Sequence, residues 1–160
     1  MIYSRYARNL LADAALRGGT ITFPATYYIA LLAAKPGLTD TYQEIGNVTP
    51  NGYARYAIPN SNTTWSEADV PGSMEPMSVS VGPCRVSNNI LIQFPAPTGD
   101  WKHGSPSTAT PIKAIALFDS ATIGAGNMWL WAMTGAAKTV NAGDLPLQIA
   151  MNTLAFTFDK

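Results

Sequence analysis

Ile112-Lys-Ala-Ile-Ala-Leu-Phe118, Asp119-Ser-Ala-Thr-Ile-Gly-Ala-Gly-Asn127 and Met128-Trp-Leu-Trp-Ala-Met-Thr134 follow one another without a gap. The first and third runs are rich in apolar, β-branched and aromatic residues, which pack well on a pleated surface. The middle run is polar and carries Gly124 and Gly126. Two such runs joined by a glycine-bearing link read as an antiparallel hairpin. A single hairpin is marginal in water, so its apolar faces demand further strands.

Those strands are legible on both sides. Residues 26–33 (Thr-Tyr-Tyr-Ile-Ala-Leu-Leu-Ala) are apolar on both alternating faces, as a central strand requires, and Lys35-Pro36-Gly37 ends them. Residues 38–51 read as a long polar loop. Residues 52–58 form the next strand, ended by Pro59, and Asn60–Thr64 a turn before Trp65. The Pro- and Gly-rich stretch 66–88 holds a short strand around Ser78–Val81. Residues 89–94 (Asn-Ile-Leu-Ile-Gln-Phe) are a strand, and 102–111 a second polar loop. Beyond the hairpin, 145–150 and 153–158 close the chain, with Leu154, Phe156 and Phe158 alternating in the last. One helix precedes all of this. Over residues 4–17, Ser4 is a cap, Tyr3, Ala7, Leu10, Leu11 and Ala14 share a face, and Gly18-Gly19 is the stop. A helix this short needs a docking surface. Seven to nine short strands and one helix predict an all-β fold: an antiparallel β-sandwich, or a small barrel, with one N-terminal α-helix. Residues 1–160 form a single domain, with 1–19 as a helical arm and 20–160 as the sandwich.

Charge narrows the function. Lys plus Arg number 10, Asp plus Glu number 10, and charged residues make up 12% of the chain. That is about half the usual share. A neutral chain lacks the basic excess of a nucleic-acid binder or a polybasic membrane-surface protein. No run of 18 apolar residues exists to form a spanning helix. Arg5, Arg8, Asn9, Asp13 and Arg17 interrupt any signal-peptide core, so the expectation is synthesis in the cytoplasm without a cleaved signal. A surface so poor in charge stays monodisperse poorly. It is suited to being covered by partner subunits, which would also hold the chain ends near Met1 and Lys160.

Chemistry-bearing residues are sparse. His103 is the only histidine and Cys84 the only cysteine. A Ser–His–Asp or Cys–His arrangement would have to use His103, which reads as a solvated loop residue, and zinc usually takes more such ligands than this chain has. Asp100, Asp119 and Asp144 lie at turns, where carboxylates bond backbone N–H groups. Gly124-Ala-Gly126 leads into a strand, not a helix, and so is no phosphate loop. Neither a cofactor nor a metal is expected. Trp129 and Trp131, two apart, read as one face of a strand. That face is core or subunit interface, or, in an alternative reading, a platform for a host-surface glycan. The candidate subunit-interface residues are Tyr6, Leu10 and Leu11 on the helix and Trp129 and Trp131 on the strand.

An ordered set of segments carries a resemblance. It comprises 25–36 (Ala-Thr-Tyr-Tyr-Ile-Ala-Leu-Leu-Ala-Ala-Lys-Pro), Gly52-Tyr-Ala-Arg55, Trp65-Ser-Glu-Ala68 and Ile92-Gln-Phe-Pro-Ala-Pro-Thr-Gly-Asp-Trp101. Ala114-Ile-Ala-Leu-Phe-Asp119, Gly126-Asn-Met-Trp-Leu-Trp131, Lys138-Thr-Val-Asn-Ala-Gly-Asp144 and Leu154-Ala-Phe-Thr-Phe-Asp159 complete it. In this order, over residues 9–159, they resemble small bacteriophage structural proteins of the tail-fibre type. The sequence departs from that pattern at 71–88 and at Ala132-Met133. The resemblance implies a non-enzymatic virion component whose partners are other virion proteins and copies of itself. A tail or tail-fibre module is the first expectation. A capsid decoration (cement) protein is the second, and a glycan-binding receptor-recognition module the third.

Overall fold

The computed structural model describes residues 2–46, 51–66 and 84–158. The strand expected around Ser78–Val81 and the chain ends at Met1 and Lys160 lie outside the described residues. In chain order the elements are β1 (Ile2–Tyr3), α1 (Arg5–Arg17), β2 (Thr26–Leu32), β3 (Tyr56–Pro59) and β4 (Cys84–Ser87). They continue with β5 (Ile92–Gln93), β6 (Ile112–Phe118), β7 (Met128–Lys138), β8 (Gln148–Ile149) and β9 (Ala155–Phe158).

The hairpin is present as read: β6 and β7 pair antiparallel through Ile115↔Ala132, Ala116↔Trp131 and Leu117↔Leu130. It lies inside a five-stranded antiparallel sheet of order β1-β7-β6-β2-β3. The edge strands β1 and β3 pair with no further strand of that sheet, so it stays open and the architecture is a sandwich rather than a barrel. The opposing layer is built from the two-stranded pairs β4–β9 and β5–β8.

The central position of β2 follows from its composition. Ile29, Ala30, Leu31 and Leu32 are all fully buried, on both faces. On the inner face Ile29, Leu31, Ile58 and Leu117 meet Ile92, Phe94, Trp101, Leu154 and Phe156 of the opposing layer, and this is the main core. On the outer face Ala30, Leu32, Ala114, Ala116, Phe118, Met128 and Trp131 form a second apolar cluster. The loop after β2 covers part of that face. Its return segment pairs with the end of β2 (Ala33 N–H to Gln43 O, 2.8 Å; Ile45 N–H to Leu31 O, 2.9 Å). The Tyr42 ring stands 4.8 Å from Phe118, centroid to centroid, and the Lys35 ammonium lies 5.9 Å above Trp131.

Polar hubs replace regular pairing in the opposing layer, which explains why its strands are shorter than the sequence suggests. Asn88 is fully buried. Its amide donates to Ile90 O (2.7 Å) and Ala150 O (2.9 Å), and its oxygen accepts from Leu154 N–H (2.9 Å). Asn51 serves the far end: its carbonyl accepts from Thr98 N–H (3.0 Å) and from the indole of buried Trp101 (3.2 Å). Each bond satisfies a backbone group that no strand partner reaches. Strands expected over 52–58, 89–94, 145–150 and 153–158 shrink to β3, β5, β8 and β9. The turn carboxylates behave as expected: Asp119 accepts from Asn127 N–H (2.7 Å), Asp144 from Asn141 N–H (2.8 Å) and Asp100 from Ala142 N–H (3.0 Å).

Candidate functional site

The site begins where the N-terminal arm meets β7. Strand β1 adds to the edge of β7 through Ile2↔Trp131 and Tyr3↔Leu130. Ser4 then turns the chain into α1. Its backbone N–H bonds Trp129 O (3.1 Å), its hydroxyl donates to Met128 O, and the same oxygen accepts from Ala7 N–H (3.0 Å). Ser4 is 1% exposed, so the cap doubles as a buried rivet to the sheet.

Asp40 completes the cap from the loop after β2. Its carboxylate accepts from Arg5 N–H (2.8 Å) and Tyr6 N–H (2.9 Å), while Arg8 N–H begins the helical ladder at Ser4 O (3.1 Å). Every orphan donor of the first turn is thereby satisfied, and a negative charge sits at the positive end of the helix dipole. Asp40 holds φ at 61°, a backbone region Asp tolerates better than most residues. Gly18, at φ 72°, closes the other end and bonds Asp13 O.

Beyond this pinned first turn the helix makes little contact with the body. Ala7 is its only buried residue. Leu10 is half-buried, Leu11 is 38% exposed and Leu16 84%. A concave surface of about 650 Å³ runs along Tyr6, Asn9, Leu10, Asp13 and Leu16. The expectation that the apolar stripe must dock is therefore met within the described residues only at Tyr6 and Ala7.

Trp129 and Trp131 are each 6% exposed, and they do not share a face. Phe118 pairs with Met128 but Leu117 pairs with Leu130, so Trp129 is an extra residue in β7. This bulge breaks the alternation that the sequence reading assumed. Trp131 joins the outer cluster opposite Ala116. Trp129 instead packs edge-on against Tyr6 (5.4 Å) and Tyr27 (6.0 Å) and beside Phe23 (5.6 Å). Its indole N–H is buried with no hydrogen-bond partner among the described residues. Burial, with the Asp119 charge adding, pushes the Tyr27 phenol up to about 12.

A buried charged cluster holds the surrounding loops. Arg55 grips Glu44 through Nε–Oε1 (2.7 Å) and Nη2–Oε2 (2.6 Å), and both side chains are at most 2% exposed. Arg55 Nη1 also donates to Ser120 O (2.7 Å) and Ala125 O (3.0 Å), in the hairpin turn. Glu44 accepts from Gly124 N–H (3.0 Å), and the guanidinium lies 4.0 Å above the Phe118 ring. Burial alone would pull the Arg55 pKa down. The hydrogen bonds and charge of Glu44 more than compensate and hold it above its ordinary value. Burial first and the Glu44 charge second push the Tyr53 phenol well up, and that phenol accepts from Leu31 N–H (2.9 Å). His103, expected to be solvated, is half-buried with Nδ1 2.9 Å from Glu44 O.

The sequence reading missed Asp40, Glu44 and Arg55. Asp40 and the helix it caps meet only in three dimensions. For Arg55 a signal existed: a guanidinium inside Gly52-Tyr-Ala-Arg-Tyr56 needs a carboxylate if that strand is buried. Among the described residues no group of three or more His, Cys, Asp or Glu is arranged to hold a metal. The arrangement shown is one of packing and anchoring.

Comparison with known families gives one match. The family described as podophage GP4 fiber I protein gp80 matches residues 3–157, which span the arm and the whole sandwich. No curated protein matches the chain.

Proposed function

This chain belongs to the podophage GP4 fiber I protein gp80 family, and we propose that it is a non-enzymatic subunit of a phage tail fibre, held in the particle by its N-terminal arm. Membership of a phage fibre family makes it a structural component of the virion. The family match across 3–157 carries the tail-fibre reading. The arm carries the mode of attachment. Its first turn is locked to the sandwich by Ser4 and Asp40, while Leu10, Leu11 and Leu16 are presented outward from a rigid base. A helix fixed at one end and apolar along the rest is a ready-made knob for a groove on a neighbouring virion protein. The paucity of charge suits surfaces shared between subunits.

Leu11→Glu/Leu16→Glu in the intact chain tests the attachment. Both residues are exposed, so the purified variant keeps the wild-type melting temperature, but particles assembled with it lose the protein. Normal incorporation of the variant would overturn the docking role. Quantitative mass spectrometry of purified particles tests the location: a tail fibre requires tens of copies or fewer, whereas hundreds would place the protein on the shell as a decoration protein.

A further inference from the structure

We propose that the open end of the sandwich, between Tyr27 of β2 and Trp65, is a binding site for one neutral pyranose ring, independently of where in the particle the subunit sits. The two layers separate there to leave a cavity of about 310 Å³. That is the lower end of the size range of small-ligand pockets, about 300–1,000 Å³, and admits a single ring rather than a helix or strand.

Its lining is selective. Tyr27, Trp65 and Phe156 supply aromatic walls, on which the C–H face of a sugar packs. Asn60, Ser61 and Asn62 supply a rim of amides and a hydroxyl. The Tyr27 phenol, the Trp65 indole N–H and the Asn62 amide have no hydrogen-bond partner among the described residues, so they are uncommitted. The phenol stays protonated up to about 12 and so remains a donor under ordinary conditions. No charged side chain lines the cavity among the described residues. An anionic or cationic ligand would give up its hydration without a countercharge. Aromatic walls, several free neutral donors and no charge match a neutral polyol ring. The same comparison disqualifies the aromatic platform suggested by the sequence, because Trp129 and Trp131 are each 6% exposed and lie on opposite faces.

The test is saturation-transfer NMR and titration with the full chain. The probes are the methyl glycosides of glucose, galactose, mannose and rhamnose, with methyl glucuronide as the charged control. At least one neutral glycoside binds with Kd about 1 mM, as expected for a ligand of this size. The glucuronide binds about tenfold more weakly, and Tyr27→Phe and Asn62→Ala each weaken binding about fivefold, the value of one lost hydrogen bond. Asn62 is exposed, so its variant keeps the wild-type fold and melting temperature. Three results would each overturn the proposal: no transfer from any neutral glycoside well above about 1 mM, equal binding by both variants, or a glucuronide bound as tightly as the neutral sugars.

Discussion

Replacing Arg55 by Met removes the charge that makes Glu44 tolerable in the interior. Arg55→Met deletes two hydrogen bonds to Glu44 (2.6 and 2.7 Å) and two to the hairpin-turn carbonyls of Ser120 (2.7 Å) and Ala125 (3.0 Å). It also removes a cation lying 4.0 Å above the Phe118 ring. Glu44 keeps only Gly124 N–H (3.0 Å) and a long contact from the Tyr53 hydroxyl (3.4 Å). Breaking one side of a buried ion pair costs about 3–5 kcal/mol, because the remaining charge is desolvated and unpaired. For a chain of this length that lowers the melting temperature by roughly 6–20 °C. The assay is urea and thermal unfolding of the wild type, Arg55→Met, Glu44→Gln and the double variant. Removing both partners leaves no buried charge, so the double variant costs less than the sum of the singles by about 1–3 kcal/mol. A loss below about 1 kcal/mol for Arg55→Met, or additivity within about 0.5 kcal/mol, would refute the reasoning.

Three further outcomes follow from the same contacts. Asp40→Gly keeps the left-handed backbone but removes both acceptors at the helix N-terminus, at a cost of about 1 kcal/mol; amides of residues 5–17 should then exchange about fivefold faster, and unchanged exchange would contradict the cap. Asn88→Ala strands two carbonyls and one N–H in the core and costs about 2–4 kcal/mol; a melting temperature equal to wild type would show that water replaces the amide without loss. Alkaline pH is the third case. An exposed phenol ionises near 10, whereas Tyr27 is held up to about 12 and Tyr53 is also raised. Between those values the unfolded chain has released protons that the folded chain keeps, so stability falls as pH rises from 10 towards 12. Phenolate absorbance should show late-titrating tyrosines, and titration of all tyrosines together near 10 would contradict it.

The reading of the sequence succeeded where hydrophobic period and turn chemistry act locally. The hairpin around Asp119–Asn127, the doubly buried β2 and the Ser4-to-Gly18 helix all carry such signals, and all are present. It failed where long-range geometry decides. β1 is two residues long and exists because the edge of β7 is there to receive it. The bulge at Trp129 leaves no mark in an apolar run, yet it sends Trp129 and Trp131 to opposite faces. In the opposing layer, side-chain amides of Asn51 and Asn88 do the work of strand partners, so alternation overstates strand length. Of the candidate interface residues, Tyr6, Leu10 and Leu11 lie on the arm as read, but Leu16 is the more exposed leucine of that helix. The buried pair of Glu44 and Arg55 required knowing that residues 44, 55 and 124 converge.

The account rests on this chain being a fibre subunit anchored through its arm. Electron microscopy of intact particles tests that most directly, using gold-labelled antibody against the exposed 141–145 loop. The account predicts label confined to the fibres at the tail, and loss of that label from particles made with Leu11→Glu/Leu16→Glu. Label spread over the shell, or unchanged by the two substitutions, would contradict it.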